Sequence, residues 1–164
     1  MTDRLTVQTH SPEQTRELAC RLARRVQLPA VIGLVGQLGA GKTEFVKGLG
    51  RGLSVDERSI CSATFVIICE YGDGVTLVHV DAYRLTSGQE LDPLGWDEIL
   101  ERKDCLVAVE WADRVADRMP AETLWVRQEV IAETDRRITL EAPRSGPWQA
   151  VLADPQIITA LAGS

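Results

Sequence analysis

The sequence predicts an α/β fold with a mainly parallel central sheet, flanked by helices and carrying an antiparallel hairpin extension. Three observations carry this. A short apolar run at 31–35 leads through a glycine-rich turn into a helix-forming segment at 44–53. Two further apolar runs, 75–80 and 105–109, each end in an acid, Asp81 and Glu110. Gly72-Asp73-Gly74 joins the β-rich run 66–71 to the run 75–80, a hairpin signal inside an otherwise alternating pattern. Short buried strands alternating with helices favour parallel pairing.

In chain order, Leu5 and Val7 alternate with polar residues and suggest a short strand. Ser11 is placed as an N-cap, Pro12 at the first helical position and Gln14 as the return half of a capping box. Leu18, Cys20, Leu22 and Val26 supply that helix with an apolar stripe, and Arg21, Arg24 and Arg25 read as its solvated face. Residues 27–30 turn into the strand at 31–35. Gly48, Gly50 and Gly52 fall in or after the next helix, and each costs about 1 kcal/mol if it lies inside. Close packing against a neighbour and early termination both account for them. Residues 54–59 read as loop, 86–93 as turns, 95–100 as a short helix and 112–119 as helical up to Pro120. Two more strands, 124–131 and 137–142, form a hairpin around Thr134-Asp135, and the tail 148–161 reads as helix broken at Asp154-Pro155.

The 164 residues fit one domain, 1–164, long enough to bury a proper core. A net charge of −6 makes the chain a poor candidate for gripping a phosphate backbone over a wide face, so any link to nucleic acid is expected to run through a partner protein. Cys20, Cys61, Cys69 and Cys105 form no C-x-x-C pair and have no His cluster beside them, which points to buried reduced thiols rather than zinc. The first seven residues are polar, and no apolar run approaches transmembrane length, so a cytoplasmic location and no membrane partner are expected.

The chemistry is concentrated in Gly36-Gln37-Leu38-Gly39-Ala40-Gly41-Lys42-Thr43, a complete G-x-x-x-x-G-K-[ST] phosphate-binding loop between strand and helix. Its glycines let backbone N–H groups converge on an anion, and the helix that follows turns its positive end to the same place. Lys42 is suited to the outer phosphates and Thr43 to Mg²⁺. Such a site takes an acid from the C-terminal end of a neighbouring strand, and either Asp81 or Glu110 can supply it. Thr64, between the loop helix and the next strand, occupies the position of a switch hydroxyl, or is a plain turn residue. His79 reads as a core histidine or as support for a ligand from behind. Trp111 reads as a base- or ribose-stacking ring, or as a core or surface tryptophan.

Together these residues resemble the bacterial TsaE (YjeE) family, the P-loop ATPases of tRNA threonylcarbamoyladenosine synthesis. The resemblance covers residues 11–142. It rests on Thr15 in the leading helix, the loop at 36–43, S-x-T-F at 62–65 with Glu70-Tyr71, H-x-D-x-Y-R-L at 79–85 and Val109-Glu110-Trp111. The loop is common to many ATPases, and the run at 79–85 is much more specific. The resemblance implies a P-loop NTPase fold and an ATPase, with ATP as substrate and Mg²⁺ as cofactor. It implies work with TsaD and TsaB, which transfer a threonylcarbamoyl group to N6 of adenosine 37 in tRNA, so contact with tRNA is indirect. It further implies catalytic roles for Lys42, Asp81 and Glu110, and Mg²⁺ ligation by Thr43 and Glu110. Thr15, Gly36, Leu38, Gly39, Ala40, Gly41, Lys42, Thr43 and Trp111 are implied to bind nucleotide, and Ser62 and Thr64 to form the switch.

Three positions depart from the family pattern: Gln37 for the usual Asp, Glu44 for Thr or Ser, and Ala63 for Pro. Without that proline a looser switch loop is expected. A small-molecule kinase and a nucleotide-gated binding module that hydrolyses little are the competing readings. The kinase reading needs an arginine-rich lid, which 112–164 does not suggest.

Overall fold

The computed structural model describes residues 1–60, 67–74, 76–159 and 161. Ser62, Ala63 and Thr64, the expected switch run, lie outside the described residues. Seven strands form one sheet: β1 (Thr2–Thr9), β2 (Ala30–Gly36), β3 (Ile68–Tyr71), β4 (Thr76–Asp81), β5 (Cys105–Glu110), β6 (Leu124–Val130) and β7 (Arg136–Pro143). Their order is β1-β7-β6-β2-β5-β4-β3. The contiguous set β4, β5, β2, β6 is parallel. β3 runs antiparallel to β4, as the Gly72–Gly74 turn requires. At the other edge β7 is antiparallel to β6 and β1 to β7. The sheet is therefore mixed: both expected hairpins, β3–β4 and β6–β7, are antiparallel, and the pairing of β1 with β7 adds a third antiparallel pair. The short turn at Thr134-Asp135 returns β7 alongside β6, and β1 closes the outer edge.

Both faces of the central strands are covered. In β5, Leu106 and Ala108 enter one core, while Cys105, Val107 and Val109 enter the other. This is why the run reads as continuously apolar rather than alternating. The first core packs beneath α1 (Pro12–Arg25), α2 (Lys42–Gly52) and the tail helix, and includes Leu18, Leu22, Phe45 and Trp148. The second packs beneath the 3-10 segments Gly88–Leu94 and Ala112–Arg118 and the short helix Trp96–Glu101, with Trp96 fully buried. No helix among the described residues is long and apolar enough to cross a membrane.

α1 begins as its sequence dictates. The Ser11 hydroxyl accepts from the Gln14 N–H at 3.1 Å, and Pro12 opens the helix. The Gln14 side chain accepts from the His10 N–H at 2.7 Å, so that half of the expected capping box also reaches ahead of the N-cap. Leu18, Cys20 and Leu22 are buried as expected. The arginine face is less solvated than its composition suggests. Arg25 pairs with Asp154 at 2.8 Å and Arg21 donates to the Gln156 carbonyl, so both fasten the C-terminal segment to α1.

The three glycines of α2 mark close packing, since the helix runs through to Gly52. A Cβ on Gly48 would lie 2.2 Å from the Arg16 carbonyl oxygen and 2.7 Å from Ala19 Cβ. Gly48→Ala is therefore expected to destabilise the fold by about 1–3 kcal/mol through overpacking. This outweighs the gain of about 1 kcal/mol from the better helix former. Urea unfolding checks it: the midpoint should fall with the slope unchanged, and a raised midpoint would mean that α1 and α2 separate without cost.

Candidate nucleotide site

β2 lies at the centre of the parallel set, between β5 and β6, and the loop at 36–43 leaves its C-terminal end. Gly39 and Gly41 adopt φ of 81° and 101°, the left-handed region that side chains disfavour. At Gly41 a Cβ would also come within 3.3 Å of Gln128 Nε2. From outside, two β6–β7 side chains grip the loop. Arg136 donates from Nε to the Ala40 carbonyl and from Nη2 to the Gly39 carbonyl, both at 3.1 Å. Gln128 Nε2 donates to the same Ala40 carbonyl at 3.4 Å. These bonds, with the Ala40 N–H donating to the Gln37 carbonyl at 3.0 Å, hold the curl in place.

Lys42 is 5 % exposed. Its Nζ donates to the Gly36 and Gln37 carbonyls at 2.6 and 2.8 Å and lies 4.1 Å from the centroid of the Trp111 ring. Burial lowers the pKa of this ammonium group, and the carboxylates of Glu110, Asp113 and Asp81 pull it back up. Gln37, one of the three departures, thus engages the lysine through its backbone. Glu44, another, is ion-paired with Arg16 of α1.

The two strand-end acids are not equivalent. Asp81 and Glu110 are register partners at the ends of the adjacent parallel strands β4 and β5. β5 is the strand beside β2, with Glu110 opposite Leu34. Glu110 therefore meets the loop: the Thr43 hydroxyl donates to its two carboxylate oxygens at 3.2 and 3.4 Å. On its other side Glu110 contacts His79 Nε2 at 2.5 Å. Asp81 stands one strand further out and accepts from the Tyr83 N–H at 3.0 Å. Burial raises the Asp81 pKa, and the nearby Glu110 carboxylate adds to the shift, against the lowering pull of the Tyr83 bond.

The rim is aromatic. Trp111, directly after β5, has φ 58° and ψ 39°, a left-handed conformation that costs a bulky residue about 1–3 kcal/mol. Its ring lies 5.1 Å from that of Tyr83, and the Arg114 guanidinium is 5.2 Å from both rings.

The loop is a wall between two pockets. One, of about 250 Å³, is lined by Leu38, Gly39, Gly41, Lys42, Thr43, Glu110 and Trp111. The other, of about 220 Å³, is lined by Ser11, Thr15, Gly39, Ala40, Gly41, Thr134 and Arg136. Thus Thr15, placed near the nucleotide by resemblance, does face the loop. Its hydroxyl shares a 2.9 Å hydrogen bond with Thr9. Leu38, 82 % exposed, projects its side chain to solvent. Sequence reasoning missed Gln128, Thr134 and Arg136, which lie about ninety residues beyond the loop in no motif. Only the hairpin signal at 134–135 hints that this turn reaches the site.

The Thr43 hydroxyl and Glu110 carboxylate are hard oxygen donors facing one another beside an anion cradle. That set fits Mg²⁺, which takes one or two protein oxygens and leaves its other positions to phosphate and water.

Residues 9–138 match the family model described as Threonylcarbamoyl adenosine biosynthesis protein TsaE. The chain is 36% identical over 132 residues to the tRNA threonylcarbamoyladenosine biosynthesis protein TsaE of Treponema pallidum, covering 80% of this chain and 96% of that one. It is 40% identical over 136 residues to the protein of the same name from Bacillus subtilis, covering 82% and 83%. Among solved structures, Bacillus subtilis YdiB superposes with a TM-score of 0.73 at 34% identity, covering 93% of each chain.

Proposed function

The chain belongs to the TsaE family of tRNA threonylcarbamoyladenosine biosynthesis proteins, and we propose that it is the component that binds and hydrolyses ATP to support turnover of a TsaD–TsaB transferase complex. One observation carries the reading: Thr43, at the head of α2, faces the strand-end Glu110 beside a loop whose Gly39 and Gly41 adopt positive φ. The two cores on opposite faces of one sheet support taking residues 1–164 as a single domain.

The phosphates occupy the pocket between Lys42 and Glu110, and the nucleoside extends across the loop toward Thr15, Thr134 and Arg136. The loop N–H groups and the α2 N-terminus bind the phosphate oxygens. Lys42 leaves the Gly36 and Gln37 carbonyls for the outer phosphates. Thr43 and Glu110 hold Mg²⁺, which supplies positive charge to the phosphate oxygens when bound. Asp81, whose buried carboxylate has a raised pKa and so a greater hold on a proton, orients the attacking water and takes up its proton. Trp111 covers the phosphate pocket.

Two experiments test this. A pull-down from native lysate with and without ATP should recover the TsaD and TsaB homologues, and their absence in both would remove the partner assignment. Glu110→Ala should leave Mg²⁺-free ADP binding mostly intact and abolish Mg²⁺-dependent hydrolysis. Equal binding loss with and without Mg²⁺, measured by titration of labelled ADP, would sink the role given to Glu110.

A further inference from the structure

Side chains alternate along a strand, so Leu77, His79 and Asp81 of β4 share the sheet face that α2 covers, as do Leu106, Ala108 and Glu110 of β5. His79 is only 1 % exposed, with apolar Leu77, Leu106 and Ala108 on one side and the strand-end acids Asp81 and Glu110 on the other. Its register partner on β5 is Ala108, whose small side chain leaves room for the imidazole, and Glu110 lies two residues further along. Nε2 meets Glu110 Oε2 at 2.5 Å, while Nδ1 is buried with no hydrogen-bond partner among the described residues.

The direction of the bond follows from the partners: an ionised carboxylate only accepts, and the Thr43 hydroxyl already shares its proton with the same group, so His79 donates from Nε2. Nδ1 is then a bare acceptor, the less costly way to leave one ring nitrogen unpaired, since a buried orphan N–H is rarer than an orphan acceptor. An apolar residue would fill this space without leaving any nitrogen unpaired. What the imidazole adds is its one bond to Glu110.

We propose that His79 is a positioning residue that holds the Glu110 carboxylate at the rotamer facing Thr43, and so sets the affinity of the site for Mg²⁺. The proposal rests on the assignment of Glu110 as a Mg²⁺ ligand. A glutamate carboxylate, on three rotatable bonds, loses rotamer freedom when a metal binds, and a fixed donor behind it removes that freedom beforehand. Partners of this kind commonly contribute about ten- to hundredfold in metal affinity.

The test compares two polar replacements. In His79→Gln the amide nitrogen reaches about as far as Nε2 and restores the donor. In His79→Asn the amide stops near the level of Nδ1 and does not. Labelled ADP is titrated without Mg²⁺, and then Mg²⁺ is titrated at fixed ADP. Thermal melts of each variant are recorded alongside. His79→Gln should keep the half-saturating Mg²⁺ close to that of the parent protein. His79→Asn should raise it about ten- to hundredfold, with Mg²⁺-free ADP binding unchanged in both. The proposal is overturned if the two variants show the same Mg²⁺ dependence, or if His79→Asn loses Mg²⁺-free ADP binding in parallel. Glu110→Ala, run beside them, separates the two levels. If it keeps the parent's Mg²⁺ dependence, the assignment of Glu110 fails. If it loses that dependence while His79→Asn does not, only the role of His79 fails.

Discussion

Lys42→Ala is expected to abolish tight binding of ATP and ADP, with a loss of about 2–5 kcal/mol, the usual range for truncating one partner of a buried charge pair. That corresponds to roughly thirtyfold to several-thousandfold in Kd. The loop N–H groups and the helix end contribute partial charges only, and Lys42 is the one full cation placed within the loop. Its Nζ now sits on the Gly36 and Gln37 carbonyls and against the Trp111 ring. These are neutral partners that an anionic phosphate outcompetes. Burial also disfavours the isolated ammonium, so an incoming anion relieves a cost already present. Lys42→Arg should not rescue, because a planar guanidinium cannot replace a compact point charge in a pocket shaped by loop carbonyls. Calorimetric titration with ADP, with and without Mg²⁺, measures both variants. Retention of affinity within about twofold in Lys42→Ala would place the phosphates elsewhere.

The parts of this site that were legible in the sequence are those encoded locally. The loop, its strand and its helix are contiguous, so the glycine positions, Lys42 and Thr43 could be read from spacing. Asp81 and Glu110 were legible as acids at strand ends, and the Gly72–Gly74 turn as a hairpin. The residues alone left open which acid meets Thr43, because that depends on β5 rather than β4 lying next to β2; only the family resemblance singled out Glu110. Sheet order is set by long-range packing and leaves no trace in periodicity. Gln128 and Arg136 were missed for the same reason. Their grip on Ala40 exists only because β6 pairs with β2, and an arginine at the start of a strand looks like any solvated residue. The glycines of α2 carried a visible signal with two meanings, and only the backbone of α1, which a Cβ on Gly48 would meet at 2.2 Å, decides for packing. The left-handed Trp111 had no signal at all, since tryptophan is a poor choice for that conformation on intrinsic grounds.

Without its partners the chain is expected to turn over ATP slowly, and assembly with TsaD and TsaB should raise the rate substantially. Phosphoryl transfer depends on positioning and on positive charge around the transferring group. Lys42, and the Mg²⁺ proposed to bind at Thr43 and Glu110, would provide two sources of that charge. A third is often an arginine, contributing about 10³- to 10⁵-fold where one is used. Arg136 is spent on the loop carbonyls. Arg114 is held at 5.2 Å over the Tyr83 and Trp111 rings, so to reach a phosphate it must leave two aromatic contacts. A partner surface that engages the half-exposed Tyr83 would weaken that hold and release the guanidinium. Steady-state turnover of the purified chain, alone and with TsaD–TsaB, measures the effect. Arg114→Ala then locates the arginine. Loss of the stimulated rate with the basal rate kept identifies Arg114, and full stimulation of the variant leaves Arg84, three residues beyond Asp81, or an arginine of a partner as the source. Fast turnover by the chain alone, unchanged when TsaD and TsaB are added, would refute the expectation and favour an independent hydrolase.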